Sequence, residues 1–372
     1  MDDEKKNKLD QRTLNKIGQH WRKFVDSSKE YEIVKNTTVQ EKSGIYNAQS
    51  TIYDNEYLEA QRYKEKLLND YRNKRVDEVY NGIEIENKSG KCFCTSDARE
   101  IKINKLPQNN FTNSIQNNLK LIYGIGEITE RRLKDSGYKS LIDLKKHPRF
   151  SNDACQLSSI IDSKNYNELN LLIKRRLSKS HPSVFQLSSA RNIEDFVFLD
   201  IETLGLFNRP IILIGAARIK NDYIFINQYF VRDISEEQAA ISNLLSELNE
   251  NSILVTYNGD AFDIPFIEER MFYYGIGKSI ECPGFDLLLF SRRAWRERLP
   301  NCKLVTIEKQ LLGIDRGNDV PSALVPEFYE TYLRTGNIGP VIPIINHNKE
   351  DIFTLANIYF KLCEVWSDYG CY

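Results

Sequence analysis

The spacing of apolar positions changes along this chain. Residues 1 to about 50 are polar and rich in Lys, Asn and Gln. They offer only a short amphipathic patch at Trp21, Phe24 and Val25, so little stable structure is expected there. From Tyr53 to Tyr80, the positions Tyr57, Leu58, Leu67, Leu68 and Tyr71 recur among alternating charges and predict a helix. Asn81-Gly82 and Ser89-Gly90 then punctuate three short runs, Ile83–Ile85, Cys92–Thr95 and Ile101–Ile103, which predict a small sheet or hairpin. Residues 150–180 return to helical spacing through Leu157, Ile160, Ile161, Leu169, Leu172, Ile173 and Leu177, with a basic end at Lys174, Arg175 and Arg176. His181-Pro182 predicts the start of a linker.

Past this point the chain reads as strands first and helices later. Phe196–Leu199 predicts a buried strand. Pro210–Ile219 and Tyr223–Val231 predict two more, joined by a turn at Asn221-Asp222. Ser235-Glu236-Glu237-Gln238 carries a capping pattern and opens a helix bearing Ile241, Leu244, Leu245 and Leu248. Ser252–Tyr257 predicts the next strand, and the rest reads mostly as helix. The expected division is a polar N-terminus at 1–50, a helix with a small β region at 51–115, a helical region at 116–182 and an α/β domain at 190–372.

Composition narrows this picture. At 41% hydrophobic and 28% charged, the chain has the balance of a globular protein. It has no apolar run near the ~18–20 residues of a membrane span. The charged start, Met1-Asp2-Asp3-Glu4, is followed by no apolar segment, so no signal peptide is expected. Seven scattered cysteines read as reduced thiols, which predicts a cytoplasmic location. The close pair Cys92 and Cys94 reads as one face of a strand. The net charge of −1 conceals an asymmetry: the front half has an excess of Lys and Arg, the rear half an excess of Asp and Glu. A basic front suits a polyanion and an acidic rear suits cations.

The acids of the rear half fall at informative places. Asp200 and Glu202 end the Phe196–Leu199 strand and, two apart, share a face. Burying two like charges side by side is costly without a neutralising cation. In Tyr257-Asn258-Gly259-Asp260-Ala261-Phe262-Asp263, the last acid lies in the first turns of the helix that follows a strand. Asn258 is expected to pin that strand–helix turn. His347 and Asp351, four apart, share one face of a late helix. Asp286 starts another helix, either as its N-cap or as an outer partner of a metal. Arg292, Arg293, Arg296 and Arg298 surround Trp295, which reads either as a phosphate face with a stacking ring or as a solvated helix face. Thr203 and Leu204 follow the first two acids and are candidates to touch a terminal nucleotide.

Leu121-Ile122-Tyr123-Gly124-Ile125-Gly126, followed by Arg131, Arg132 and Lys134, Gly137 and Ser140, predicts helix, Gly-x-Gly hairpin, helix and a Ser-led helix. This resembles a helix-hairpin-helix unit. Gly124 and Gly126 let backbone approach a phosphate, and the N–H groups at the next helix start favour an anion. Gly124, Ile125, Gly126, Arg131 and Arg132 are therefore candidate nucleic-acid contacts, and such contacts position a backbone without reading sequence.

The ordered set of D-x-E on a first strand, N-x-x-x-F-D after a later strand and H-x-x-x-D on a late helix resembles the DEDD superfamily of 3′–5′ exonucleases. The order of strands and helices resembles the ribonuclease-H-like fold, a mixed sheet flanked by helices. Phe285-Asp286, Arg292 to Cys302, Leu312-Gly313-Ile314 and Asp319 to Pro326 make residues 190–367 similar to its YprB-like branch. The resemblance implies that Asp200, Glu202, Asp263 and Asp351 hold two Mg²⁺ or Mn²⁺ ions, suited to hard oxygen donors. It implies that His347 deprotonates or orients the attacking water. His347 stands four residues before Asp351, the spacing of the Tyr type of these exonucleases and of the YprB-like pattern; the His type usually spaces them five apart. The expected function is metal-dependent hydrolysis of phosphodiester bonds in DNA or RNA, with Asn258, Arg292, Arg293 and Trp295 among the candidate substrate contacts. The alternatives are a nucleic-acid-binding scaffold without turnover and a phosphoryl-transfer enzyme for small nucleotides.

Overall fold

The structure, a computed structural model, describes residues 11–25, 31–34, 50–104, 106, 113–163, 166–206, 208–277, 279–317 and 320–367. Asp319 and the side chains of Phe24 and Val25 lie outside the described part. The front half contributes α1 (Gln11–Val25), β1 (Tyr31–Val34), β2 (Ser50–Tyr53), α2 (Asp54–Asp70), α3 (Val76–Val79), β3 (Gly82–Asn87) and β4 (Gly90–Glu100). It continues through α4 (Glu127–Asp135), α5 (Leu141–Leu144), α6 (Ser151–Asp162), α7 (Tyr166–Arg176) and α8 (Pro182–Gln186). The rear half follows as β5 (Phe196–Thr203), β6 (Ile211–Lys220), β7 (Tyr223–Phe230), α9 (Glu237–Glu247), β8 (Ile253–Thr256) and α10 (Asp263–Tyr273). It ends with β9 (Gly284–Asp286), α11 (Leu287–Trp295), α12 (Leu304–Ile307), α13 (Val325–Thr335) and α14 (Ile342–Val365).

Seven of these strands form one mixed sheet in the order β3-β4-β7-β6-β5-β8-β9. β5 pairs antiparallel with β6 and parallel with β8, which puts the first acidic strand inside the sheet, away from both edges. The two faces of β5 explain the layers. Val197, Leu199 and Ile201 pack with α9 and α10, while Phe196 and Phe198 pack with α14 through Tyr359. Asp200 and Glu202 alternate onto the α14 face.

Several expectations change. Residues 1–50 are not structureless throughout: α1 buries Leu14 and Trp21, and β1 pairs with β2 in parallel. Ile101–Ile103 is not a strand, because β4 ends at Glu100. The hairpin β3–β4 does not form a sheet of its own. β4 runs antiparallel to β7 from Phe93↔Phe230 to Glu100↔Tyr223 and extends the rear sheet. Cys92 and Cys94 share the buried face of that strand, as their spacing suggests. His181-Pro182 starts no loose linker: Pro182–Gln186 is buried, and Phe185 meets Phe285, Phe290, Tyr359 and Trp366. The cap before α9 is Asp233, which accepts from Ser235 N at 3.0 Å, so Ser235 belongs to a 3₁₀ turn ahead of the helix.

Candidate active site

Asp200, Glu202, Asp263, His347 and Asp351 all line one cleft of about 260 Å³ at the end of β5. Strand, helix start and late helix deliver them for separate reasons. The β5–β6 ladder shifts register between Glu202 and Thr203, and the chain then turns into the cleft wall at Gly205 and Leu206. Asn258 takes a left-handed backbone (φ 68°), which swings the chain from β8 toward α10. Asp263 opens α10 and accepts a hydrogen bond from Ile201 N at 3.2 Å, docking the helix start between the two acids of β5. Asn258 thus pins the turn as expected, and its N–H donates to Asp286 Oδ1 at 2.8 Å. Asp286 is the N-cap of α11, accepting also from Leu288 N at 3.0 Å; it ties that helix to the loop at Asn258.

Helix α14 approaches the sheet closely because β6 carries a glycine opposite Asp200. A Cβ on Gly215 would overlap Ile352 Cδ1 and Asn348 Oδ1. Asn348 is fully buried. Its Nδ2 donates to Asp200 Oδ2 at 2.8 Å and to Asp200 O at 3.1 Å, while its Oδ1 accepts from Gln228 Nε2 at 2.8 Å. Gln228 also donates to Ile345 O at 2.7 Å. This buried chain fixes the Asp200 carboxylate. Asp351 pairs with Arg316 and lies 3.4 Å from His347 Nε2, measured to Oδ2. Arg316 Nη1 also stands 3.5 Å from His347 Nδ1, and the same guanidinium pairs with buried Glu308, which accepts from Thr354 Oγ1.

The electrostatics are those of crowded, desolvated acids. Burial first, then the charges of Asp351, Asp263 and Glu202, hold the Asp200 carboxyl well above the usual carboxylate range. Burial pushes Asp263 up to about 7, with Asp286 and Asp351 adding to the rise while N–H donors oppose it. Four carboxylates on one cleft are the hard oxygen donors that Mg²⁺ or Mn²⁺ prefers, and the raised pKa values mark a deficit of positive charge. The donor chemistry therefore fits such ions. In the present rotamers no three described donors converge into a preformed ligand cage, since Asp200 is held by Asn348 and Asp351 by Arg316.

The remaining sequence candidates divide. Thr203 lines the cleft, its hydroxyl donating to Gly205 O at 2.8 Å. Leu204 does not: it is buried among Ile212, Leu213 and Val325, and Leu206 provides the apolar wall instead. Trp295 is a second correction. It is 4% exposed and packs in the core, because the inward face of α11 carries it with Leu288 and Ser291 while the arginines face out. No stacking ring is offered to substrate there. In the hairpin, Gly124 (φ 82°) and Gly126 are exposed, but the Ile125 side chain is buried, so only its backbone is presented. A 3₁₀ turn, Leu119–Leu121, stands directly before the hairpin where a helix is expected; α4 and the Ser140-capped α5 follow it as expected. Arg131 and Arg132 are exposed on α4. Asn348, Gly215 and Arg316 escaped sequence reading. Asn348 gave one signal, a polar residue three before Asp351 and seven before Leu355 on a buried helix face.

The mixed sheet flanked by helices agrees with comparison to known proteins. The RNase_H superfamily profile matches residues 197–363. Residues 197–363 are an RNase_H superfamily domain. The uncharacterized protein YprB of Bacillus subtilis (strain 168) is 33% identical over 176 residues, 46% of this chain and 42% of that protein. A PolC-type DNA polymerase III of Ureaplasma parvum serovar 3 is 30% identical over 121 residues, 26% of this chain and 8% of that protein. The chain thus spans less than half the length of either relative. Membership of the RNase_H superfamily supports a nuclease-type chemistry for this domain. Among the described residues, no helix is long and apolar enough to cross a membrane.

Proposed function

We propose that this protein is a metal-dependent nuclease, a 3′–5′ exonuclease of the DEDD type that hydrolyses phosphodiester bonds of DNA or RNA. The observation that carries this reading is the meeting of Asp200, Glu202, Asp263, Asp351 and His347 on one cleft with desolvated carboxyls. The four acids would hold two Mg²⁺ or Mn²⁺ ions, which when bound supply charge neutralisation and an activated water. Asn348 keeps Asp200 in one rotamer, and Arg316 balances part of the charge of Asp351. His347, adjacent to Asp351, is placed to orient or deprotonate the attacking water. Thr203, Leu206 and Tyr257 wall the space for a terminal nucleotide. The exposed backbone of Gly124 and Gly126, with Arg131 and Arg132, holds the strand farther away by its phosphates.

The test is hydrolysis of end-labelled DNA and RNA oligonucleotides by the purified full chain with Mg²⁺ or Mn²⁺ and with EDTA. A 5′-labelled strand is expected to shorten stepwise, and a 3′ label to be released at once as a mononucleotide. Asp200→Ala and Asp351→Ala should each lower the rate by at least about 100-fold, since several kcal/mol of transition-state stabilisation accompany the ions. Hydrolysis unaffected by either change would remove the site assignment. Tight strand binding with no cleavage in any metal would favour a scaffold role.

A further inference from the structure

The catalytic cleft explains the acids but not the arginines of α11. Arg292, Arg293 and Arg296 gather with Ser180 around a pocket of about 370 Å³ outside the cleft. Arg293 donates from Nε to Ser180 Oγ at 3.2 Å and from Nη2 to Ser178 Oγ at 3.1 Å. Both partners are neutral, so its charge is oriented but not cancelled. Among the described residues no ion pair of the three arginines is found, although Glu297 also lines the pocket. Arg292 and Arg296 at i, i+4 and Arg293 and Arg296 at i, i+3 repel modestly, and a bound anion would relieve this.

The neighbourhood adds cations from other segments. Lys179 pairs at 3.0 Å with Asp260, one residue past Gly259 in the loop whose Tyr257 and Asn258 wall the catalytic cleft. Burial, then the charges of Arg293 and Lys120, push His181 down to about 4, so both cations lie within electrostatic reach of His181, although Lys120 also stands 4.0 Å from Glu130. Tyr123 is 74% exposed beside the hairpin glycines and lies under Arg176 at 4.8 Å. Through Lys179 and Asp260 the basic corner adjoins the loop that walls the catalytic cleft.

Distance gives the corner a role. The N-cap of α11, Asp286, holds Asn258 N at the edge of the cleft. Arg292 and Arg296 lie six and ten residues beyond Asp286. At ~1.5 Å of rise per residue they stand roughly 9–15 Å from that edge. With one phosphate per ~3.4 Å of axis in a stacked, helical strand, this is about three to four nucleotides. We propose that the pocket between α11 and residues 178–180 binds backbone phosphates of a nucleic-acid strand about three to four nucleotides from the bond in the catalytic cleft. Arginine is suited to this, since its fork engages phosphate oxygens in pairs. The proposal rests on the nuclease reading for the polarity of the strand, but its binding prediction stands apart from turnover.

The experiment is fluorescence anisotropy with fluorescein-labelled oligo-dT and oligo-U of three and twelve nucleotides, using the full chain in EDTA and separately in Ca²⁺. Arg292→Ala/Arg296→Ala is expected to weaken the twelve-nucleotide strand about 10-fold or more while leaving the three-nucleotide strand unchanged. Two lost phosphate contacts should also reduce the slope of log affinity against log salt by about 1.4. Arg292→Lys/Arg296→Lys should recover most of the affinity. Both arginines are exposed, and an unchanged thermal midpoint separates loss of contact from loss of fold. Equal effects on the short and long strands, or no effect on either, would overturn the proposal. So would failure of the unaltered chain to bind the longer strand in both conditions. If no strand is ever hydrolysed but the length-dependent loss is seen, the nuclease reading falls and this site stands. Hydrolysis with no such loss gives the reverse result.

Discussion

A carboxylate buried among other acids without a counter-charge is a source of instability. Asp263 shows this most clearly, because burial lifts it to about 7, against an ordinary value near 4. A group whose pKa is raised by folding favours the fold while protonated. That contribution is complete below about pH 4 and is lost as the pH rises through about 7. The metal-free protein should therefore lose thermal stability between about pH 4 and pH 7. Asp263→Asn imitates the protonated acid and keeps an oxygen for Ile201 N, so it should flatten that loss without abolishing it, because Asp200 is raised as well. Differential scanning fluorimetry in EDTA across this range measures it; parallel slopes for the variant and the parent would show that Asp263 is not the group responsible. Asn348 makes the complementary point: its amide serves Asp200 at 2.8 Å without adding charge to an already crowded site.

Elements set how closely such residues meet. The spacing of α14 from β5 and β6 depends on Gly215, where an added methyl group would strike Ile352 and Asn348. Gly215→Ala should cost about 1–3 kcal/mol by overpacking. Because Asn348 moves with the helix, it should also lower hydrolysis more than the stability loss explains. Urea unfolding and rate measurements on one preparation decide this; a stability change below about 0.5 kcal/mol would mean that the helix already stands off. The same comparison shows what the sequence made legible. Strand and helix periodicity placed β5, β6, β7, α9 and β8 but read the remainder as mostly helix and so missed β9 at Gly284–Asp286; periods of two and 3.6 paired Asp200 with Glu202 and His347 with Asp351, and only the family resemblance joined the two pairs. Gly215, Arg316 and Leu204 were illegible for one reason: their roles depend on which element lies opposite, and no local pattern carries that. Trp295 misled because its arginine neighbours suggested an exposed ring, whereas the helix turns it inward. β3–β4 was legible as a hairpin but not as an extension of a distant sheet, since pairing to β7 joins residues more than a hundred positions apart.

At the scale of the whole molecule, the front and rear halves share their interior. One apolar cluster runs from Leu119, Ile125 and Leu133 of the hairpin region through Phe185 to Phe196, Phe198 and Tyr359 behind the acidic strand. A second joins Leu67 and Phe93 to Phe230 and Phe328. Arg99 of β4 forks onto Glu350 at 2.7 and 2.9 Å and lies over Phe353, so even α14 is braced by the front half. Separate domains would unfold in separate steps, but a shared core couples them. Full-length protein should therefore unfold in urea as one transition when followed by tryptophan fluorescence and by circular dichroism. A truncated chain beginning at residue 182 should associate, because the outer edge of β7 loses its partner from Tyr223 to Phe230 and presents unpaired backbone. Size-exclusion chromatography reads that outcome directly. Two well-separated unfolding steps, together with a monomeric truncated chain as stable as the parent's second step, would show instead that the rear half stands alone. The active site would then owe its geometry to residues 182–372 by themselves. A single transition with an associating fragment would make the front half part of the structure that holds Asp351 and His347 against the sheet.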